Sequence, residues 1–409
     1  MDLLKKLKKF VLSIGIILCI LGIYCNDKEI DDIFPCLDRG IGHWERTGKL
    51  VVPRDGMSSM VKMGDGNILI TGGLEAQENG IRAEIYYPRE NVFRPTGNLI
   101  NAKSGHTSYL LHDGRIVIIG SKDVEMYNPK TGSFIKTDEF LEPFDTINIL
   151  LKNGFIFSQH AMYNPITKEF KKLYINYARI TNNIIEGDNG NVYVVDGWVL
   201  KNFPLGKLNN TIAPSKGKGF ILTNRIEKYN FKTNQYEFAG KSIIPKRTSA
   251  LIRLPDGKIL IIGGNAYGKA ILEKEVFKNN INPVYKRYRH NKVYEYWQGL
   301  TQTIEMYDPK TETSQIVGEK LKYAVGCTRN SNLNLLKNRY ILVASSYGRR
   351  FELIDSKTWK VYSVKKMPKK RLDASISIQL DENSVLFIGE FRGGKAPYGY
   401  VFKLDDIKE

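Results

Sequence analysis

The sequence predicts an all-β fold, a seven-bladed β-propeller of four-stranded antiparallel blades closed by an N-terminal strand. Three observations predict it. A strand, tight turn and strongly apolar strand recur seven times, a second hairpin pattern follows most copies, and a segment near the N-terminus matches a fourth strand.

The first pattern reads SSMVKMGDGNILITGG (58–73), TSYLLHDGRIVIIGS (107–121), INILLKNGFIFSQ (147–159) and NNIIEGDNGNVYVVDG (182–197). It continues as SALIRLPDGKILIIGG (249–264), NSNLNLLKNRYILVASS (330–346) and SISIQLDENSVLFIGE (375–390). Asp, Asn and Gly at the turn are the hairpin chemistry that joins two short antiparallel strands. The second pattern reads AEIYYPREN (83–91), VEMYNPKTG (124–132), AMYNPITKE (161–169), IEKYNFKTN (226–234), IEMYDPKTE (304–312) and FELIDSKTW (351–359). Asn or Asp opens that turn, Pro sets its first central residue, and the Tyr before it offers a large surface for packing between sheets.

The seventh copy ends with YVFKLDD (400–406) and lacks a fourth strand of its own. WERTGKLVVPRDG (44–56) matches FRPTGNLINAKSG (93–105), the fourth strand of the first unit. Trp44 falls on Phe93, Thr47-Gly48 on Thr96-Gly97 and Leu50 on Leu99. An N-terminal strand that completes the last blade leaves no open sheet edge.

An apolar strand ending in Gly-Gly, followed by an aromatic-Asp-Pro turn, resembles the kelch-repeat family. Gly72-Gly73 and Gly263-Gly264 match the diglycine, Gly120-Ser121, Gly197 and Gly389 match it in part, and the third and sixth copies lack it. SALIRLPDGKILIIGG is particularly similar to the kelch domain of the galactose oxidase family, and the resemblance covers roughly residues 43–405. That family's copper site implies an adjacent Tyr-His pair, a further Tyr and His, and a Cys cross-linked to Tyr. No Tyr-His dipeptide occurs here, and His43, His106, His112, His160 and His290 show no ligand spacing. The resemblance therefore implies the scaffold without the copper site, and no cofactor or metal is expected.

Residues 1–24 stand apart. Lys5, Lys6, Lys8 and Lys9 precede the apolar run Phe10 to Tyr24, which suits a signal segment and is short for a bilayer span. Cys25, followed by Asn-Asp-Lys-Glu, resembles the lipidated cysteine of a bacterial lipoprotein, although Tyr24 replaces the usual small residue. An ordinary secretory signal and an uncleaved short anchor are the alternatives. The expected organisation is a lipoprotein-like signal at 1–24, a tether at 25–42 and the propeller at 43–409. The expected location is the bacterial cell envelope, as an outer-membrane lipoprotein facing the periplasm or the cell surface. Cys36 and Cys327 are left over, either unpaired or joined in an oxidising compartment.

The chain carries 61 Lys and Arg against 43 Asp and Glu, and removal of residues 1–24 leaves 57 against 42. A basic exported chain is drawn to anionic surfaces, although Lys- and Asn-rich usage is also what a biased genome supplies throughout. No nucleic-acid motif is present, and a monomer is expected.

In such a meander the a–b and c–d turns share one face, and the b–c and d–a connections share the other. Length variation is concentrated in the b–c loops, at 74–82, 198–224, 265–302 and 391–398. Long loops on a rigid scaffold are where binding groups sit. The segment PVYKRYRHNKVYEYWQG (283–299) interleaves cations with rings, and Tyr285, Arg287, Tyr288, Arg289, His290 and Trp297 are the candidate ligand-binding residues. Packing of these rings on the rim with solvated cations is the competing reading. Asp196 and Glu390, at the ends of b-strands, are candidate acid–base groups. Two functions follow. One is a non-catalytic binding or adhesion module for a glycan or protein, the more favoured. The other is an exported carbohydrate-active enzyme (a sugar isomerase, lyase or oxidase-like protein).

Overall fold

The computed structural model describes residues 40–407 except 55–56, 74–80, 121–122, 140–146, 174–178, 181–182, 201–212, 215–219, 270–287, 290–291, 294–295, 324–332, 345–350, 369–371 and 392–393. The chain divides into residues 1–40 and 41–409. Cys25, Cys36 and Cys327 lie outside the described residues.

The second unit is a seven-bladed β-propeller of four-stranded antiparallel sheets. Blade 1 consists of Ser59–Lys62, Ile68–Thr71, Ala83–Tyr87 and Val92–Pro95, strands a to d in chain order. Blade 2 is Thr107–Leu110, Ile116–Ile119, Asp123–Asn128 and Ser133–Glu139, and blade 3 is Asn148–Leu150, Ile156–Ser158, Ala161–Tyr163 and Phe170–Lys172. Blade 4 is Asn183–Glu186, Val192–Val195, Arg225–Asn230 and Gln235–Lys241. Blade 5 is Ala250–Arg253, Ile259–Ile262, Ile304–Asp308 and Thr313–Ile316. Blade 6 is Leu333–Leu336, Tyr340–Ala344, Phe351–Asp355 and Val361–Ser363. Blade 7 takes Leu372–Gln379, Ser384–Phe391 and Gly394–Lys403 from the C-terminal end and His43–Arg54 from the N-terminal end.

Apolar residues form seven buried clusters, one at each junction between neighbouring blades. The pleat explains why the b-strands read as unbroken apolar runs. Ile68 and Ile70 face blade 7, while Leu69 between them faces blade 2, so both faces of the strand are covered. Each such residue contributes about 1.5–3 kcal/mol through burial. The strand-c tyrosines Tyr86, Tyr127, Tyr163, Tyr229 and Tyr307 are all buried. Their hydroxyls keep partners, as at Tyr127 with Thr96 on blade 1 (2.8 Å) and Tyr163 donating to Asp138 on blade 2 (2.7 Å).

The ring closes where the sequence places the closure. Trp44 pairs with Phe402, Glu45 with Val401 and Arg46 with Tyr400 in an antiparallel ladder. The Trp44 ring packs 4.7 Å from Phe351 and 5.3 Å from Phe402, and its indole N–H donates to the Lys365 carbonyl at 2.7 Å. Leu50, on the same strand, enters the cluster between blades 7 and 1.

The Thr-Gly alignment has a physical cause that spacing alone does not reveal. The fourth-strand glycine of one blade rests against the c–d turn of the next. The Gly48 N–H donates to the Asn91 carbonyl at 3.1 Å, and the Gly97 N–H donates to the Gly132 carbonyl at 3.0 Å. A Cβ at Gly97 would lie 2.1 Å from that carbonyl oxygen, and one at Gly48 would lie 2.4 Å from its own. Both glycines therefore set the spacing between blades. Gly97→Ala should push blades 1 and 2 apart at the rim and cost about 1–3 kcal/mol in denaturant unfolding. Wild-type stability in that variant would show that the contact sets nothing.

Candidate functional site

The described ends of the two long b–c connections, at 198–224 and 265–302, pair as antiparallel ladders raised from their blades. Above blade 4, Trp198–Leu200 pairs with Phe220–Leu222, flanked by Arg179–Ile180 on one side and Ala213–Pro214 on the other. Above blade 5, Asn265–Lys269 pairs with Tyr296–Leu300, flanked by Lys246–Arg247. In each case the chain entering the blade adds an edge strand to the hairpin that the same blade sends up.

A two-residue hinge turns each hairpin away from its blade. Gly263 and Gly264 take φ of 64° and 105°, and Asp196 and Gly197 take 58° and 105°. Asp196 thus adopts the left-handed conformation of a diglycine's first residue, which Asp tolerates better than most side chains. Its side chain takes space that a neighbouring residue fills elsewhere. A Cβ on Gly72, the equivalent residue of blade 1, would lie 2.5 Å from His106 Cε1 of blade 2. Blade 5 has Ser249 where blade 2 has His106, and the Ser249 hydroxyl donates to Asp196 Oδ2 at 3.1 Å. A large neighbour beside Gly is exchanged for a small neighbour beside Asp.

Asp196 is fully buried, and the Ser242 hydroxyl donates to its Oδ1 at 2.6 Å. Burial pushes its carboxyl up to about 7, opposed by Lys246 and the two serine hydroxyls and reinforced by Glu305. The sequence-based reading of Asp196 as an acid–base group at the loop face meets a carboxyl sealed inside the junction between blades 4 and 5. The side chain of Glu390, the other such candidate, lies outside the described residues, although its backbone pairs with Lys395.

Beside this cluster runs a feature that sequence reasoning missed. Glu84, Glu125, Glu227, Glu305 and Glu352 occupy one register position of strand c in five blades, and all are buried. Each carboxylate grips the chain that enters its blade. Glu84 accepts from the Val51 N–H (2.7 Å) and Arg54 Nε (2.8 Å), and Glu125 from the Ile100 N–H and Lys103 Nζ (both 2.8 Å). Glu227 takes Arg179 Nη2 at 2.6 Å, and Glu305 takes the Ile243 N–H at 2.7 Å and the ammonium of Lys246. Glu352 accepts from the Lys322 and Tyr323 N–H groups at 2.8 and 3.1 Å. Glu84, Glu125, Glu227 and Glu305 are held this deep by a paired cation, and Glu352 by two backbone N–H groups, with burial pushing its carboxyl up. The signal was the basic residue recurring before strand a, in VVPRDG, INAKSG and IIPKRT.

Of the residues chosen from the sequence, Tyr285, Arg287 and His290 lie outside the described residues. The backbone of Tyr288 and Arg289 pairs with Val293 and Lys292 in a small hairpin, and Trp297 pairs with Gly268 in the blade 5 hairpin. Nearer the blades, the Arg247 guanidinium lies over the Trp198 ring at 4.6 Å, joining the two raised sheets. The Gly197 N–H, beside that Trp, donates to the Lys246 carbonyl at 2.9 Å.

Fold and site together define a β-propeller with two raised sheets on adjacent blades of one face. No family model and no curated protein matches the chain.

Because the folded-state carboxyl of Asp196 holds its proton well above the range of an unfolded aspartate, folding takes up a proton between about pH 4 and 7. Stability from this group is full below that window and falls as pH rises through it, by up to ~4 kcal/mol. Asp196→Asn tolerates the same backbone and cannot ionise, so its unfolding midpoint should rise relative to wild type from pH 4 to pH 8. A difference that stays constant across that range would contradict the sealed, proton-holding site.

Proposed function

We propose that the chain is a kelch-type propeller of the bacterial cell envelope, tethered through Cys25, that serves as a non-catalytic binding module for a glycan or protein. The observation that carries this reading is the pair of raised sheets on neighbouring blades. Ala213–Pro214 packs beside Asn265–Lys269, so the two sheets form one continuous wall on the b–c face. Concave ligand sites form between such projections on a rigid scaffold. The other face carries short turns, such as Asp65-Gly66 and Pro129-Lys130-Thr131-Gly132.

Ile41 bridges Val364 and His43 pairs with Lys403, at the end of blade 7 that bears the short turns. Asp406 nearby pairs with Lys337 of the blade 6 a–b turn at 2.9 Å. The cations and rings in the sequence of 283–299, whose side chains lie outside the described residues, suit a sugar or an anionic group.

The test is a glycan array and protein capture with full-length chain, followed by a turnover assay on each hit. Arg287→Ala with Arg289→Ala should weaken binding by about 1–3 kcal/mol without lowering the melting temperature. Lys130→Ala and Lys310→Ala, on exposed turns of the far face, should leave binding unchanged. In cells expressing the full-length chain, Cys25→Ser should shift it from membranes to the soluble fraction. Binding that depends on the far-face lysines and ignores the arginine pair would overturn the assignment of the face, and turnover of a captured sugar would overturn the non-catalytic reading.

A further inference from the structure

The end of the propeller opposite the raised hairpins carries a pattern of charge that the binding wall does not use. At this end the a–b turns lie toward the axis, where the a-strands of neighbouring blades pack side by side, and the c–d turns form the outer rim. The inner cations are neutralised close at hand. Arg115 pairs with Asp113 at 2.6 Å, Lys258 with Asp256 at 2.7 Å, Lys337 with Asp406 at 2.9 Å and Arg339 with Asp355 at 2.7 Å.

The rim differs. In five c–d turns an Asn or Asp side chain accepts the N–H two residues on, which fixes the residue at the tip of the turn. Asn128 accepts from Lys130 (3.0 Å), Asn164 from Ile166 (2.9 Å) and Asn230 from Lys232 (2.9 Å). Asp308 accepts from Lys310 (2.8 Å) and Asp355 from Lys357 (3.0 Å), and blade 1 places Arg89 at the same tip. Arg89, Lys130, Lys232, Lys310 and Lys357 are all exposed, and among the described residues none has a carboxylate partner. Glu90 and Glu312 on these turns are taken by Arg94 and Lys228, which leaves Glu169 and Asp308 without a cation. Positive charge is therefore in excess around the rim. Blade 3 puts Ile166, 51% exposed, at the tip that the other blades give to a cation. Phe170, across from Tyr163 beside that turn, is 47% exposed, whereas its equivalent in blade 1, Phe93, is buried against Tyr86. A lone exposed apolar side chain is ordinary, but two on one turn within a ring of cations make an amphipathic edge.

We propose that this rim is a peripheral docking surface for an anionic lipid bilayer. Each cation near such a bilayer is drawn to its head-group phosphates, and Ile166 and Phe170 enter the interface between them. A soluble polyanion satisfies the cations and leaves both apolar side chains in water, so a bilayer fits the whole pattern. The surface lies at the far end from the raised hairpins, and it requires neither a glycan there nor a lipid on Cys25.

The test is flotation of the full-length Cys25→Ser chain with vesicles of phosphatidylglycerol and phosphatidylcholine. Vesicles of phosphatidylcholine alone report the attachment that the apolar run Phe10 to Tyr24 gives by itself. The chain should favour the anionic vesicles about ten-fold or more and lose that preference in high salt. Replacing Arg89, Lys130, Lys232, Lys310 and Lys357 together by Gln should lower the preference about ten-fold, at an unchanged melting temperature because each turn keeps its backbone hydrogen bonds. Ile166→Ser should weaken binding to anionic vesicles about three-fold and leave binding to soluble heparin unchanged. Acetylation footprinting locates the contact: anionic vesicles should protect Lys130, Lys232 and Lys310 but not Lys241, exposed at the other end of the outer strand of blade 4. An anionic preference that survives the five substitutions, or equal protection of Lys241, overturns the surface. Heparin bound as tightly as vesicles, with Ile166→Ser silent, would assign the rim to a soluble polyanion and overturn the lipid reading. Glycan-array binding that persists without any vesicle preference would remove the surface and keep the module. Vesicle docking without any array or capture partner would keep the surface and remove the module.

Discussion

The pairing of His43–Arg54 with Gly394–Lys403 is the interaction on which the rest of the propeller depends. Each blade is a twisted sheet with two apolar faces, and neither face is covered until a neighbour packs on it. Six of the junctions join blades that follow one another in the chain. The seventh joins blades 7 and 1, and its cluster of Leu386, Ile388 and Val401 with Ile68, Ile70 and Tyr86 also includes Leu50 from the N-terminal strand. Closing that junction removes the two open edges that a seven-blade stack would otherwise present.

Once closed, the ring is a rigid frame, and blades 4 and 5 depart from its repeat. Both send up hairpins, and between them lie Asp196 in a glycine's conformation and the Arg247–Trp198 stack. Five blades use the same buried glutamate to hold the chain that enters them, so the scaffold at this junction is as firmly tied as elsewhere. What the two blades add is the pair of ladders above it, joined by the stack of Arg247 on Trp198, with Thr248 beside it at φ 53°. A frame held by its core can carry such strain without losing the fold.

Fold and closure were legible because their signals are local. Period-two alternation, Asp-Gly turns and Asn-Pro turns act within a few residues, and repetition multiplied them. The ionic grips were not legible by spacing, since Arg54 lies 30 residues from Glu84, Arg179 lies 48 from Glu227 and Lys246 lies 59 from Glu305. The intervening b–c connections differ in length, so only alignment of the repeats brings the partners into register. The raised sheets were hidden for a related reason. Arg179–Ile180 and Lys246–Arg247 are two-residue strands in connecting segments, too short to alternate visibly. Asp196 was found from its place at a strand end, but its burial depends on Ser242 and Ser249, which lie 46 and 53 residues away.

Native-state hydrogen exchange tests the closure most directly. If the N-terminal strand is part of the cooperative ring, the hydrogen-bonded amides of His43–Arg46 should open only with the global unfolding reaction. They should then share the free energy and denaturant dependence of Val385–Phe387 and Tyr400–Phe402, their neighbours in the blade. Exchange of His43–Arg46 at the rate of a frayed terminus, while blade 7 stays protected, would contradict a ring closed by its first strand.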